Sequence, residues 1–288
     1  PGIWTLLGGL WVLHFSYWGF NQYIIQRALG AESLAEAQKG LAFAAFLKLL
    51  IPVIVVVPGI AALVLAQDGA LAANVLNSQS DRTYGELMKL APAGLRGLVF
   101  AALIAAIVSS LASMMNSIST IFTMDIYRQY VGEARDESHY VMVGRVVALA
   151  SMVIALVLAR PFLGGMESAF QTIQEYTGFI APGVVTIFLL GFFFQRASGA
   201  RAYAVLIDSV VASLALKVAM PDLPFVLRIW LVFLINVALG VVVALVTREP
   251  EAGQPVLLSD IQFGTTQGFN VSAIAVSLIL VLIYAAYW

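Results

Sequence analysis

The chain has 288 residues, 61% of them hydrophobic and only 11% charged, and its mean hydropathy of +0.94 lies far outside the range of soluble domains. A formal net charge of −1 gives no electrostatic footprint for a nucleic acid, and the absence of cysteine removes disulfides, thiolate catalysis and zinc thiolate sites. What remains is an all-α polytopic membrane protein, because a run crossing hydrocarbon must pair its own backbone groups.

The sequence opens at Pro1, without methionine or a basic leader, directly in an apolar run. It therefore reads as the C-terminal part of a longer protein, and as a single transmembrane domain over 1–288. Eight apolar runs, 3–25, 40–65, 98–127, 141–158, 170–193, 202–219, 225–246 and 271–288, each approach the ~20 residues of a spanning helix. An even number puts both ends on one side. Arg27, Lys39, Arg128, Arg135, Arg145, Arg196, Arg201 and Arg248 fall in loops on the opposite side, against Arg82, Lys89, Arg96, Arg160, Lys217 and Arg228 on the side of the ends, so the first set is assigned to the cytoplasm of a cell inner membrane.

Boundary signals follow the same order. Ser33-Leu-Ala-Glu36 spells a capping box ahead of the second run, and Thr83-Tyr-Gly-Glu86 spells another in the longest outer loop, where it predicts a short external helix. The first run is interrupted by His14, Ser16, Gly19, Asn21 and Gln22, the fifth by Gln174, Glu175, Gly178, Pro182 and Gly183. Polar and Gly/Pro interruptions in a membrane helix predict local unwinding where the backbone lines a cavity.

The third run carries a stripe. Ser109, Ser113, Asn116, Thr120 and Thr123 recur at steps of four and three, which is one helix face, and Ala102, Ala105 and Ala106 continue it toward the start. Small and hydroxyl-bearing residues in hydrocarbon seek a bundle or a cavity rather than lipid. Hydroxyl and carbonyl oxygens without carboxylates suit a weakly held monovalent cation better than a divalent one.

Lys48 is the one basic residue well inside an apolar run, and an isolated central lysine costs roughly 2.5 to 3.5 kcal/mol unless it reaches a polar destination. Snorkelling to the interface is the competing account, and it needs a position near a helix end. Tyr17 and Trp18 lie mid-run beside His14, where a flat apolar face with a polar tip suits a sugar ring; Trp4, Trp230, Tyr287 and Trp288 fit the ordinary role of interface anchors. His14 by itself reads equally as a structural histidine or a ligand. Asp208, in the sixth run, reads as structural. Serine and lysine together raise an intramembrane Ser-Lys hydrolase, but hydroxyls spread over five turns are not one activated nucleophile. A channel or scaffold is a further alternative.

Three long motifs, YWGFNQYIIQRALGAES, GLVFAALIAAIVSSLASMMNSISTIFTMDIYRQY and FQTIQEYTGFIAPGVVTIFLLGFF, resemble the sodium:solute symporter family in the family's own order. Within it the resemblance is to the sodium/glucose cotransporter branch and its bacterial sodium/galactose members. It implies a LeuT-like core of two inverted five-helix repeats, of which this chain would hold core helices six to ten and three later helices. It further implies sodium-driven symport of a hexose such as galactose or glucose by alternating access, with a non-sugar solute as the alternative. On the same resemblance the substrate-binding residues are Tyr17, Trp18, Lys48 and Gln174, and the sodium ligands on core helix eight are Ala106, Ser109 and Ser110. His14 stands where galactose-type members carry a smaller polar residue such as asparagine, and imidazole is larger and can charge.

Overall fold

A computed structural model describes residues 3–71, 82–131, 135–163, 169–193, 199–246 and 263–287. No strand occurs among them, and seven helices are long and apolar enough to cross a membrane. These correspond to the second through eighth of the expected runs. Arg196, Arg248 and Trp288 lie outside the described residues.

The first run is a broken helix instead of an eighth continuous one. A π turn over Thr5–Gly9 leads into α1 (Leu10–Phe15) and a second π turn over Ser16–Phe20. Asn21 then leaves the helical region at φ −86°, ψ 111°, and its side-chain oxygen accepts from the Tyr23 N–H at 3.2 Å, starting α2 (Gln22–Leu29) afresh. An asparagine side chain that caps a new helix competes with the backbone ladder of the old one. The unwinding expected in this run is therefore present.

Next come α3 (Leu34–Leu49) and α4 (Ile51–Gln67), which form one span with a joint at Leu50. Pro52 is the cause: it has no N–H to return to the carbonyl of Lys48 four residues earlier. The serine half of the Ser33 box forms, with Ser33 Oγ accepting from the Glu36 N–H at 3.3 Å, while the Glu36 carboxylate pairs with Lys39 at 2.6 Å. The Thr83 box does not. A short helix α5 (Thr83–Lys89) is present, but Arg82 occupies the cap position without a side-chain bond, and Glu86 pairs with Lys89 at 2.7 Å. The remaining elements are α6 (Ala93–Thr120), a π turn over Ile121–Tyr127, α7 (Arg128–Val131), α8 (Glu137–Leu163), α9 (Ala169–Phe193), α10 (Gly199–Ala219), α11 (Phe225–Val246) and α12 (Gln267–Tyr287).

The chain divides into two compact units, Pro1–Ala42 with Phe170–Trp288, and Phe43–Ala169. The first is built around Val12, Val185 and Ile229, with Leu13, Phe20, Leu189, Phe225, Trp230 and Phe233 packed against them. Its broken helix is seated on α11 through two glycines. A β-carbon at Gly8 would lie 2.6 Å from the Trp230 ring, and one at Gly9 would collide with the Val226 carbonyl. Buried Gln38 ties α3 to the start of α12: its Nε2 donates to the Gly264 carbonyl at 3.0 Å and its Oε1 accepts from the Thr266 N–H at 2.8 Å. In the second unit α6 packs along α8, where the Ser119 hydroxyl donates to the Gly144 carbonyl at 2.8 Å. Ala62, Ala66 and Leu71 form a smaller cluster with Leu65 and Leu87.

Candidate functional site

The aromatic pair sits on the irregular turn that precedes the break. Tyr17 and Trp18 lie in the π turn Ser16–Phe20 and meet edge to face, their ring centroids 5.2 Å apart and their planes at 83°. Each is about two-fifths exposed within its unit, so the two rings offer an open apolar corner. One turn earlier, at the end of α1, is His14, also exposed. Phe20 stacks on Phe188 of α9 at 4.3 Å and 8°, which fixes this turn against the helix that bears half-buried Gln174. A π turn places one more residue in a turn than an α-helix does and is concentrated at functional sites.

Expected unwinding in the fifth run is not what the structure shows, since α9 is unbroken from Ala169 through Pro182 to Phe193. The reason lies on α10. The buried hydroxyl of Ser209 donates to the Phe179 carbonyl at 2.8 Å and accepts from the Gly183 N–H at 3.0 Å, so it is inserted into the rung that those two groups would otherwise close directly. Glycine is required beside it, because a β-carbon at Gly183 would stand 2.8 Å from Ser209 Cβ. With the Asn236 amide oriented to satisfy both its ends, its nitrogen donates to Asp208 Oδ2 at 2.9 Å and its oxygen accepts from the Gly183 N–H at 3.2 Å. Thr186 closes the cluster by donating to the Pro182 carbonyl at 2.8 Å. Asp208 is thus part of a buried polar joint among α9, α10 and α11.

A second tie lies one residue from Gln174. Glu175 Oε1 accepts from Arg228 of α11 at 2.5 Å and pairs with Lys217 of α10 at 3.0 Å. The Arg228 side chain is 4% exposed, whereas those of Glu175 and Lys217 are 25% and 41% exposed. Phe179 presents its ring to both cations, 5.6 Å from the guanidinium carbon and 5.7 Å from the ammonium. Sequence reasoning missed this triad and the Ser209 insertion. The available signal was the Pro182–Gly183 pair, which leaves α9 short of a bond, together with the polar residues Ser209 and Asn236 in neighbouring apolar runs.

The other expected residues belong to the second unit. Lys48 lies in the last turn of α3, beside the carbonyl that Pro52 leaves without its helical donor. On α6 the helix is regular through Ala106, Ser109 and Ser110, all exposed within the unit. Ser113 bonds back to the Ser109 carbonyl at 3.1 Å. The hydroxyls of Ser109 and Ser110 take part in no such bond among the described residues. They stand one residue apart, about 100° around the helix, and each carbonyl of a regular helix keeps a second lone pair, so two hydroxyls and one carbonyl are available on this side as neutral oxygen ligands.

The sodium:solute symporter family profile matches residues 3–207 of this chain. Over its whole length the chain is 43% identical to a sodium/glucose cotransporter of Vibrio parahaemolyticus, of which it covers 55%. It is 37% identical over 70% of its length to a sodium/myo-inositol cotransporter 2 of Oryctolagus cuniculus, covering 31% of that protein, and 37% identical over 65% of its length to a human sodium/myo-inositol cotransporter, covering 27%. The chain therefore spans about half the length of the first of these relatives and about a third of the others. Family membership puts it among transporters rather than intramembrane hydrolases. On the match across residues 3–207, and with seven helices among the described residues long and apolar enough to cross a membrane, the chain is a multi-pass membrane protein that belongs to the sodium:solute symporter family.

Proposed function

We propose that this chain is the C-terminal portion of a sodium-coupled symporter for a hexose or a related cyclic polyol, working by alternating access in a bacterial-type inner membrane. The observation that carries the reading is the 43% identity, across the entire chain, with a relative named for sodium/glucose cotransport. The sodium/myo-inositol names of the next relatives widen the substrate class from hexoses to cyclitols. Tyr17 and Trp18 stack on the ring, Lys48 and Gln174 hydrogen-bond its hydroxyls, and His14 tunes which hydroxyl pattern is accepted. Ala106, Ser109 and Ser110 supply the sodium ligands from α6, completed by groups on helices of the inverted repeat that precedes this one. The broken first helix supports the arrangement, because interrupted helices at the midplane are how transporters of inverted-repeat architecture build their sites.

Sodium stabilises the outward-open arrangement and sugar binding permits closure; the membrane potential contributes ~2.3 kcal/mol per charge per 100 mV to each inward step. The test is uptake of labelled galactose, glucose and myo-inositol by proteoliposomes holding the full-length transporter, with an inward sodium gradient or with potassium replacing sodium. Sodium-dependent uptake of at least one of the three is expected. Sodium-dependent uptake of an amino acid or organic anion, with none of the three transported, would reassign the substrate class.

A further inference from the structure

Between the later part of α6, the π turn Ile121–Tyr127 and α8 lies a cavity of about 470 Å³, lined by Asn116, Ser119, Thr123, Tyr140, Gly144 and Arg145 among others. None of the residues assigned to sugar or sodium faces it. The charge on its wall has one sign: Arg145 lines it and no aspartate or glutamate does. No carboxylate pairs with Arg145 among the described residues. A second guanidinium, that of Arg128, lies 5.8 Å from the centroid of the Tyr140 ring that forms part of the wall.

Thr123 supplies the second observation. It is one of the residues that line the cavity, it is only 4% exposed, and its hydroxyl has no hydrogen-bond partner among the described residues. A buried hydroxyl without a partner calls for an occupant or an explanation. Neighbouring Ser119 is different, because its hydroxyl is spent on the Gly144 carbonyl and holds the two helices together. Neutral oxygens alone would suit a cation; the guanidinium on the wall reverses that preference and makes the site one for an anion that accepts several hydrogen bonds.

Depth identifies the source of the anion. The apolar part of α6 begins after Arg96, and at 1.5 Å per residue a ~30 Å hydrocarbon core is used up about twenty residues later, before the π turn is reached. Thr123 and Arg145 therefore lie at headgroup level, on the side that carries Arg128 and Arg135 and that the positive-inside rule assigns to the cytoplasm. We propose that this pocket binds the phosphoryl group of an anionic lipid of the inner leaflet, with Arg145 as its charge partner and the Thr123 hydroxyl as a donor.

The proposal is tested on the full-length transporter by native mass spectrometry after exchange into detergent doped with phosphatidylglycerol or phosphatidylcholine. Phosphatidylglycerol is retained in preference to phosphatidylcholine, Arg145→Gln reduces that retention by about fivefold, the worth of one cationic contact near a lipid surface, and Arg145→Lys restores most of it. Thr123→Val reduces retention as well, by a smaller factor, and remains informative should Arg145→Gln fail to fold. Equal retention of the two lipids, or phosphatidylglycerol retention unchanged in the variants that fold, overturns the proposal. Displacement of the lipid by millimolar inorganic phosphate at constant ionic strength also overturns it, and would assign the pocket to a soluble phosphoryl ligand.

Discussion

Replacing Ser209 with alanine deletes one oxygen that serves two backbone groups of another helix. The Phe179 carbonyl loses its donor at 2.8 Å, while the Gly183 N–H loses an acceptor at 3.0 Å but keeps the Asn236 oxygen at 3.2 Å. One buried carbonyl is therefore orphaned, which costs ~1 to 3 kcal/mol, and we take about 2 kcal/mol for Ser209→Ala. Four residues along the same helix, Ser213 is 1% exposed and its hydroxyl has no partner among the described residues. Ser213→Ala removes an unsatisfied polar atom, so it is neutral or stabilising by up to ~1 kcal/mol. Identical substitutions one turn apart on α10 are thus expected to differ in sign. Thermal unfolding of the full-length transporter in detergent, followed by tryptophan fluorescence, gives the comparison as a rank order of parent and both variants. An unfolding temperature for Ser209→Ala equal to that of the parent, or a lower one for Ser213→Ala than for Ser209→Ala, would refute the assignment of the inserted hydroxyl.

Lys48→Ala removes a charge-assisted hydrogen bond worth ~1.5 to 3 kcal/mol, so the sugar affinity measured by isothermal titration falls at least about tenfold, and unchanged affinity would return Lys48 to the interface. Ser109→Ala and Ser110→Ala each weaken the apparent sodium affinity of uptake several-fold while leaving sugar affinity at saturating sodium nearly unchanged; parental sodium dependence in both would remove the ion from α6. Glu175→Ala leaves the nearly buried Arg228 without its carboxylate and destabilises by about 2 to 3 kcal/mol, less than a fully buried pair would lose because Glu175 is a quarter exposed, whereas Lys217→Met at the more open end of the triad costs under ~1 kcal/mol in the same melting assay. His14→Asn reorders the ranking of galactose, glucose and myo-inositol in competition uptake, and an identical ranking would make His14 structural.

What could be read from the sequence was local. Hydropathy gave seven of the runs their helices, Ser33 and Glu36 gave a helix start, and the polar residues around Asn21 gave a break. The short helix expected at Thr83 is present, but its cap is not the threonine, because Thr83 is itself the first helical residue and Arg82 takes the cap position. Pro182 and Gly183 predicted unwinding on the same logic as Asn21, yet α9 continues, because what bridges its weak rung is a hydroxyl 26 positions downstream of Gly183. The stripe on α6 was drawn on one period from Ser109 to Thr123, but the π turn from Ile121 changes that period, and Thr123 alone of the five faces inward as a buried residue. Lys48 and the α6 oxygens were legible as polar exceptions in apolar runs; their partners across the molecule were not, since spacing along one helix says nothing of which groups on another will complete a site.

Gln38 carries an asymmetry in how substitutions can accumulate. Its amide reads only main-chain atoms of the partner strand of chain, the carbonyl of residue 264 and the N–H of residue 266. The side chains at 263–265 can drift without disturbing that contact, and residue 266 need only avoid proline and keep an oxygen able to cap α12, as Thr266 does by accepting from the Phe269 N–H at 3.3 Å. Position 38 has no such latitude: a glutamate there keeps the acceptor but loses the donor, a leucine loses both, and an asparagine is one methylene short. The inherited constraint that joins two stretches more than two hundred residues apart rests on a single codon, with almost no matching record in the sequence it recognises.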